Sequence, residues 1–174
     1  MRAWAEALIA QHGEAVAAVL GMSPPLPDVE VDVVPTGGGA AWTNGLRITL
    51  NERWLRDHPD DAGCVLHELS HAYLRAPEYS ARTVWLIEGI ADLTRDVLGF
   101  DADWTFAHHE SGKATAGYQT TAHFLGWLEA ERPGTVAALS RRLAEGTYDE
   151  GAFAAVCERP LEELTAAYEA AQAP

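Results

Sequence analysis

The chain has 174 residues, 48% of them hydrophobic and 22% charged, with a formal net charge of −14. That length suits one core and is hardly enough for two, and the apolar share argues against disorder. The acidic balance argues against a nucleic-acid partner, which wants clustered Lys and Arg, and no apolar run reaches the length of a membrane span.

Residues 1–174 are therefore expected to form a single domain. Residues 2–20 are Ala-rich, and Trp4, Leu8, Val16, Val19 and Leu20 supply the apolar contacts of an N-terminal helix within 1–22. Glu6, Gln11, His12 and Glu14 interrupt any signal-peptide core, so the expectation is a cytoplasmic protein with no membrane partner. Ser23-Pro24-Pro25-Leu26-Pro27 is a stiff connector. A sheet region follows at 29–50. Val29-Glu30-Val31-Asp32-Val33-Val34 alternates with period two and reads as a strand. Gly37-Gly38-Gly39 is a turn or loop, and without a following Lys-Ser/Thr it is not a phosphate loop. Trp42-Thr43 and Gly45–Leu50 read as strands around an Asn44-Gly45 turn, or as one bulged strand. Asn51 to Leu55 begins a short helix.

Two helices are expected within 59–98. In the first, Pro59 suits an opening turn, Asp60 and Asp61 favour the positive end of the helix dipole, and Pro77 stops the run. Val65, Leu66, Leu69, Ala72 and Tyr73 form its apolar stripe. This helix carries His67-Glu68-Leu69-Ser70-His71, the pattern HExxH. Residues four apart return to nearly the same helical face, so the two imidazoles can converge on one metal ion. Glu68 stays outside that ligand pair but within reach of a water molecule at the ion, where it can act as general base.

In the second helix, Ser80 is the expected N-cap and Gly99 the terminator. Glu88 lies among Trp85, Leu86, Ile87 and Ile90, and a buried carboxylate needs a cation. A metal held by His67 and His71 supplies one, making Glu88 the third ligand. The alternative is an ordinary ion pair with Arg82 or Arg95. Asp92, one turn further, can accept a hydrogen bond from the outer nitrogen of a ligand histidine. Cys64 and Cys157 are the only thiols, and both read as small core side chains. Cys64 shares a helical face with His67 and His71, which leaves open an approach to the metal. Residues 100–116 read as a polar loop, and helices are expected at 118–131, 134–145, 149–157 and 160–172. His12, His58 and His123 are assigned structural or solvent roles.

HExxH followed by Glu-x-x-x-Asp resembles the gluzincin branch of zinc metallopeptidases. Three segments are closer still to the basic secretory protein family of peptidase-like proteins. Trp85–Asp92 resembles its IEGIAD segment, Gly117–Leu125 its GY-x-x-TA-x-FL segment, and Leu161–Tyr168 its closing Leu-rich helix. The likeness covers roughly residues 29–170, although this chain is acidic rather than basic.

The resemblance implies an α+β, zincin-like metallopeptidase domain, with a small N-terminal mixed sheet and active-site helix ahead of a mostly helical C-terminal half at 117–172. It implies one Zn2+ held by His67, His71 and Glu88, a peptide or protein substrate, and peptide-bond hydrolysis with Glu68 as base. A catalytically silent zinc-binding interaction module of the same fold is the alternative. In such a fold the sheet's last strand rims the cleft and takes an extended peptide, and Leu46, Arg47, Ile48, Thr49 and Leu50 are the candidate. The reacting carbonyl oxygen needs a donor. Tyr118 is the first candidate, ahead of His109 and then His108. A core contact with its hydroxyl at the surface is the plainer role for Tyr118.

Overall fold

Period-two alternation produces strands β1 (Glu30–Val34), β2 (Ala41–Asn44) and β3 (Arg47–Asn51) in the computed structural model, which describes residues 1–100 and 113–172. The sheet order is β1-β3-β2, with β1 parallel and β2 antiparallel to β3. β2 and β3 are two strands of a hairpin rather than one bulged strand. Asn44 pairs with Arg47, and Gly45 takes a φ of 62° at the first central position of the turn. That backbone conformation favours glycine.

The expectation that residues 46–50 form the rim strand is corrected by this topology. β3 is paired on both sides, so its backbone groups are spent within the sheet. Ile48 and Leu50 are fully buried, and Arg47 reaches across β1 to Glu30 and Asp32. Among the described residues, β1 and β2 are the edge strands, β1 beside α1 and β2 beside α3.

Helix α1 (Arg2–Val19) packs on the sheet and on α3 (Gly63–Leu74), and α2 (Glu52–Asp57) follows β3 with Asn51 as its side-chain N-cap. Helix α3 lies at the centre, against α1, β2, β3 and α4 (Val84–Val97). Every residue of α3 except His71 is buried, so the expected apolar stripe widens to a helix enclosed on nearly all sides. Pro59 and Asp60 lie outside α3, which starts at Gly63. Asp61 instead caps it from the preceding turn, accepting from the Cys64 N–H at 3.2 Å while holding Arg95 at 3.1 Å and the Trp54 indole at 2.9 Å. Likewise α4 begins after Thr83 rather than Ser80, because Ser80–Thr83 closes as a separate turn. Gly99, with φ 76°, follows its C-terminus as expected.

The C-terminal half is α5 (Tyr118–Glu131), α6 (Thr135–Ala144), α7 (Ala152–Cys157) and α8 (Leu161–Gln172). One hydrophobic cluster runs from Val16 through Leu66, Leu69, Ile90 and Phe124 to Tyr168. No helix among the described residues is long and apolar enough to cross a membrane.

Gly89 sets how closely α5 approaches α4. A Cβ there would lie 2.2 Å from Thr121 Cγ2 and 3.4 Å from the Ala122 backbone nitrogen. Gly89→Ala is therefore expected to force α5 outward beside Glu88. The cost is about 1–3 kcal/mol, read as a lower midpoint in urea at unchanged slope.

Candidate metal centre

His67 and His71 stand one turn apart on α3, and Glu88 meets them from α4. Their Nε2 atoms are 3.0 Å apart. Glu88 Oε2 lies 3.2 Å from His67 Nε2, and Oε1 lies 3.5 Å from His71 Nε2. One ligand atom from each residue falls within 4.8 Å of the others, so the three form a group that can hold a metal ion. Ligand atoms at about 2.0–2.1 Å from a tetrahedral zinc are separated from one another by about 3.3 Å. The two Nε2 atoms, and the contact each makes with its nearer Glu88 oxygen, lie close to that edge length, and a donor set of two imidazoles and one carboxylate suits such an ion.

His67 Nδ1 donates to Asp92 Oδ1 at 2.7 Å, which leaves Nε2 directed at Glu88 and His71. Burial disfavours a charged His67, but the hydrogen bonds to Asp92 and Glu88 outweigh it and raise its pKa to about 10. Burial likewise opposes the Glu88 carboxylate, yet His67, His71 and Tyr79 hold its pKa well below the usual carboxylate range. A proton and a metal ion compete for His67 Nε2, so metal uptake weakens as pH falls. Asp92→Ala is expected to weaken metal affinity by about 10- to 100-fold, measured by competition with a chromophoric chelator.

Neither arginine neutralises Glu88: Arg82 pairs with Glu78, and Arg95 pairs with Asp61. Cys64 turns away from the cluster. Its thiol donates to the Asp61 carbonyl at 3.1 Å, and burial pushes its pKa up, against the thiolate a metal would want.

Glu68 points from α3 toward β2, where Thr43 Oγ1 lies 2.8 Å from its Oε2 and 3.0 Å from its backbone oxygen. The cluster, Glu68 and β2 border one open cleft of about 830 Å³. Tyr118 lines it too, its ring parallel to His67 with centroids 6.4 Å apart. It is 55% exposed, which excludes the plain core role, and its φ of 48° is costly for a residue with a side chain. Tyr79 is a residue the sequence did not single out. From the loop between α3 and α4, its hydroxyl donates to Glu88 Oε1 at 2.5 Å. Burial and the neighbouring carboxylates raise the pKa of both tyrosines, so both keep a proton to donate at neutral pH. His108 and His109 lie outside the described residues. His123 is remote from the cluster and pairs with the Tyr168 hydroxyl at 2.6 Å.

A His–His–Glu group on two packed helices, with His67 and Glu88 buried and His71 partly exposed, opens on a cleft edged by a strand and defines a protein with a candidate metal centre. The chain matches, over residues 3–168, the family described as BSP, peptidase of plants and bacteria, and it belongs to that family. No curated protein and no solved structure matches it.

Proposed function

We propose that this protein is a gluzincin-type zinc peptidase, built as a single zincin-like domain, that hydrolyses peptide bonds in an extended chain. The observation that carries this reading is the convergence of His67, His71 and Glu88, with one ligand atom from each within 4.8 Å of the others, beside Glu68 in an open cleft. Family membership supports a peptide or protein substrate.

His67, His71 and Glu88 hold the ion. When bound, zinc supplies Lewis acidity, which acidifies water and polarises a carbonyl. Glu68 takes the proton from the attacking water and passes it to the leaving amine. Tyr118 is the candidate donor to the carbonyl oxygen as negative charge grows there, and Tyr79 is its rival across the cluster. β2 replaces β3 as the strand that takes the peptide. Asn51 N–H donates to the Ala40 carbonyl at 3.0 Å, which marks residues 40 and 51 as a hydrogen-bonded pair. Such pairs alternate along an antiparallel ladder, so Ala41 and Thr43 turn their N–H and C=O groups to the outer edge.

The test is a peptide-library digest with the zinc-loaded protein, repeated with a chelator and after zinc is restored, alongside metal analysis. Cleavage that disappears with the chelator and returns with zinc is the expected result. One bound ion without cleavage would make the domain a silent binding module. No bound ion would remove the metal site itself.

A further inference from the structure

Glu68 carries a flexible side chain, and a base of this kind works only when its carboxylate is aimed. Among the described residues, one side chain hydrogen-bonds that carboxylate, and it comes from the sheet rather than from either metal-binding helix. Thr43 Oγ1 lies within hydrogen-bond distance of both Glu68 Oε2 and the Glu68 carbonyl oxygen, at 2.8 and 3.0 Å. Its single proton is therefore shared between two acceptors on one residue. Thr43 also stands on β2, with its backbone N–H and C=O facing the open edge.

We propose that Thr43 is a positioning residue, whose hydroxyl orients the Glu68 carboxylate while its backbone pairs with the bound peptide. One residue thus sets the distance between the base and the substrate strand. The inference rests on the peptidase reading above and deepens it. The hydroxyl transfers no proton to substrate and acts through Glu68.

Thr43→Val removes the hydroxyl at nearly constant volume, and Thr43→Ser keeps the hydroxyl while removing the methyl group. In the zinc-loaded protein, Thr43→Val is expected to lower kcat by about 10- to 100-fold with KM changed by less than about three-fold, because a base displaced by a fraction of an ångström fails in the chemical step and not in binding. Thr43→Ser is expected to recover kcat to within about three-fold of wild type, and both variants retain one zinc ion. A readout independent of the metal is the Thr43 hydroxyl proton in the zinc-free protein. Held by two acceptors, it is expected to shift its resonance in Glu68→Ala, read by NMR at low temperature, where hydroxyl exchange is slowest. A Thr43→Val enzyme with wild-type kcat overturns the proposal. So does a Thr43→Ser enzyme as slow as Thr43→Val, which would assign the effect to packing of the methyl group. So does a hydroxyl resonance that Glu68→Ala leaves unmoved. If the zinc-loaded wild type cleaves no peptide, the peptidase reading fails and the positioning role falls with it. If the wild type cleaves and Thr43→Val is indifferent, only the positioning role fails.

Discussion

If the proposed zinc peptidase reading holds, Glu68→Gln is expected to keep its zinc and lose hydrolysis. The amide has nearly the same shape as the carboxylate, and its oxygen can still accept from Thr43, so the local packing of α3 against β2 survives. What it cannot do is take a proton from water. The three candidate ligands, His67, His71 and Glu88, form a group that does not include Glu68, so metal content should equal that of the wild type. General-base catalysis contributes typically 10²–10⁴-fold, and kcat/KM on a cleaved peptide is expected to fall within or beyond about that range. The variant also separates catalysis from metal binding inside one cleft. A rate equal to wild type removes the general-base role, whereas loss of zinc means that Glu68 supports the ion directly.

The site was legible where helical periodicity converts spacing into geometry. His67 and His71 at i and i+4, and Glu88 and Asp92 at the same interval, can only present one face each once their segments are helical. The cost of burying Glu88 then linked the two helices, since an apolar run around a carboxylate requires a nearby cation. Residues acting through long-range contacts were not legible. Nothing local marks Thr43 as different from any strand threonine, and its role appears only when β2 comes to rest on α3. Tyr79 looks like an ordinary loop residue until the turn closing on Thr83 carries it over Glu88. Asp61 has the sequence position of a helix-dipole residue in α3, but its partners Trp54 and Arg95 lie outside that helix.

The sheet order is not legible for a related reason. Alternation identifies strands but not their neighbours, and the last strand in the chain is not the last in space. A usable signal was present: Arg47 carries the charge complementary to Glu30 and Asp32, and cross-strand pairing of those charges puts β3 beside β1. β2 is then left at the edge.

His71→Ala should abolish both zinc uptake and hydrolysis while sparing the fold. His71 is the one residue of α3 that is not buried, so truncating it opens no cavity in the core. The chemical loss is larger. His67 and Glu88 remain, but two donors do not close a stable zinc site, and Glu88 loses one of the partners that hold its carboxylate ionised. Zinc affinity should fall by more than the roughly 10- to 100-fold expected for Asp92→Ala, because a ligand is lost rather than its support. Thermal melts with and without zinc distinguish the two consequences. Wild type gains stability on adding zinc, about 2.7 kcal/mol at a hundred-fold excess over Kd, whereas His71→Ala melts close to the zinc-free wild type and gains almost nothing. An equal zinc-dependent rise in the variant would move the ion away from this cluster, and Glu68 would then have no metal-activated water to act on.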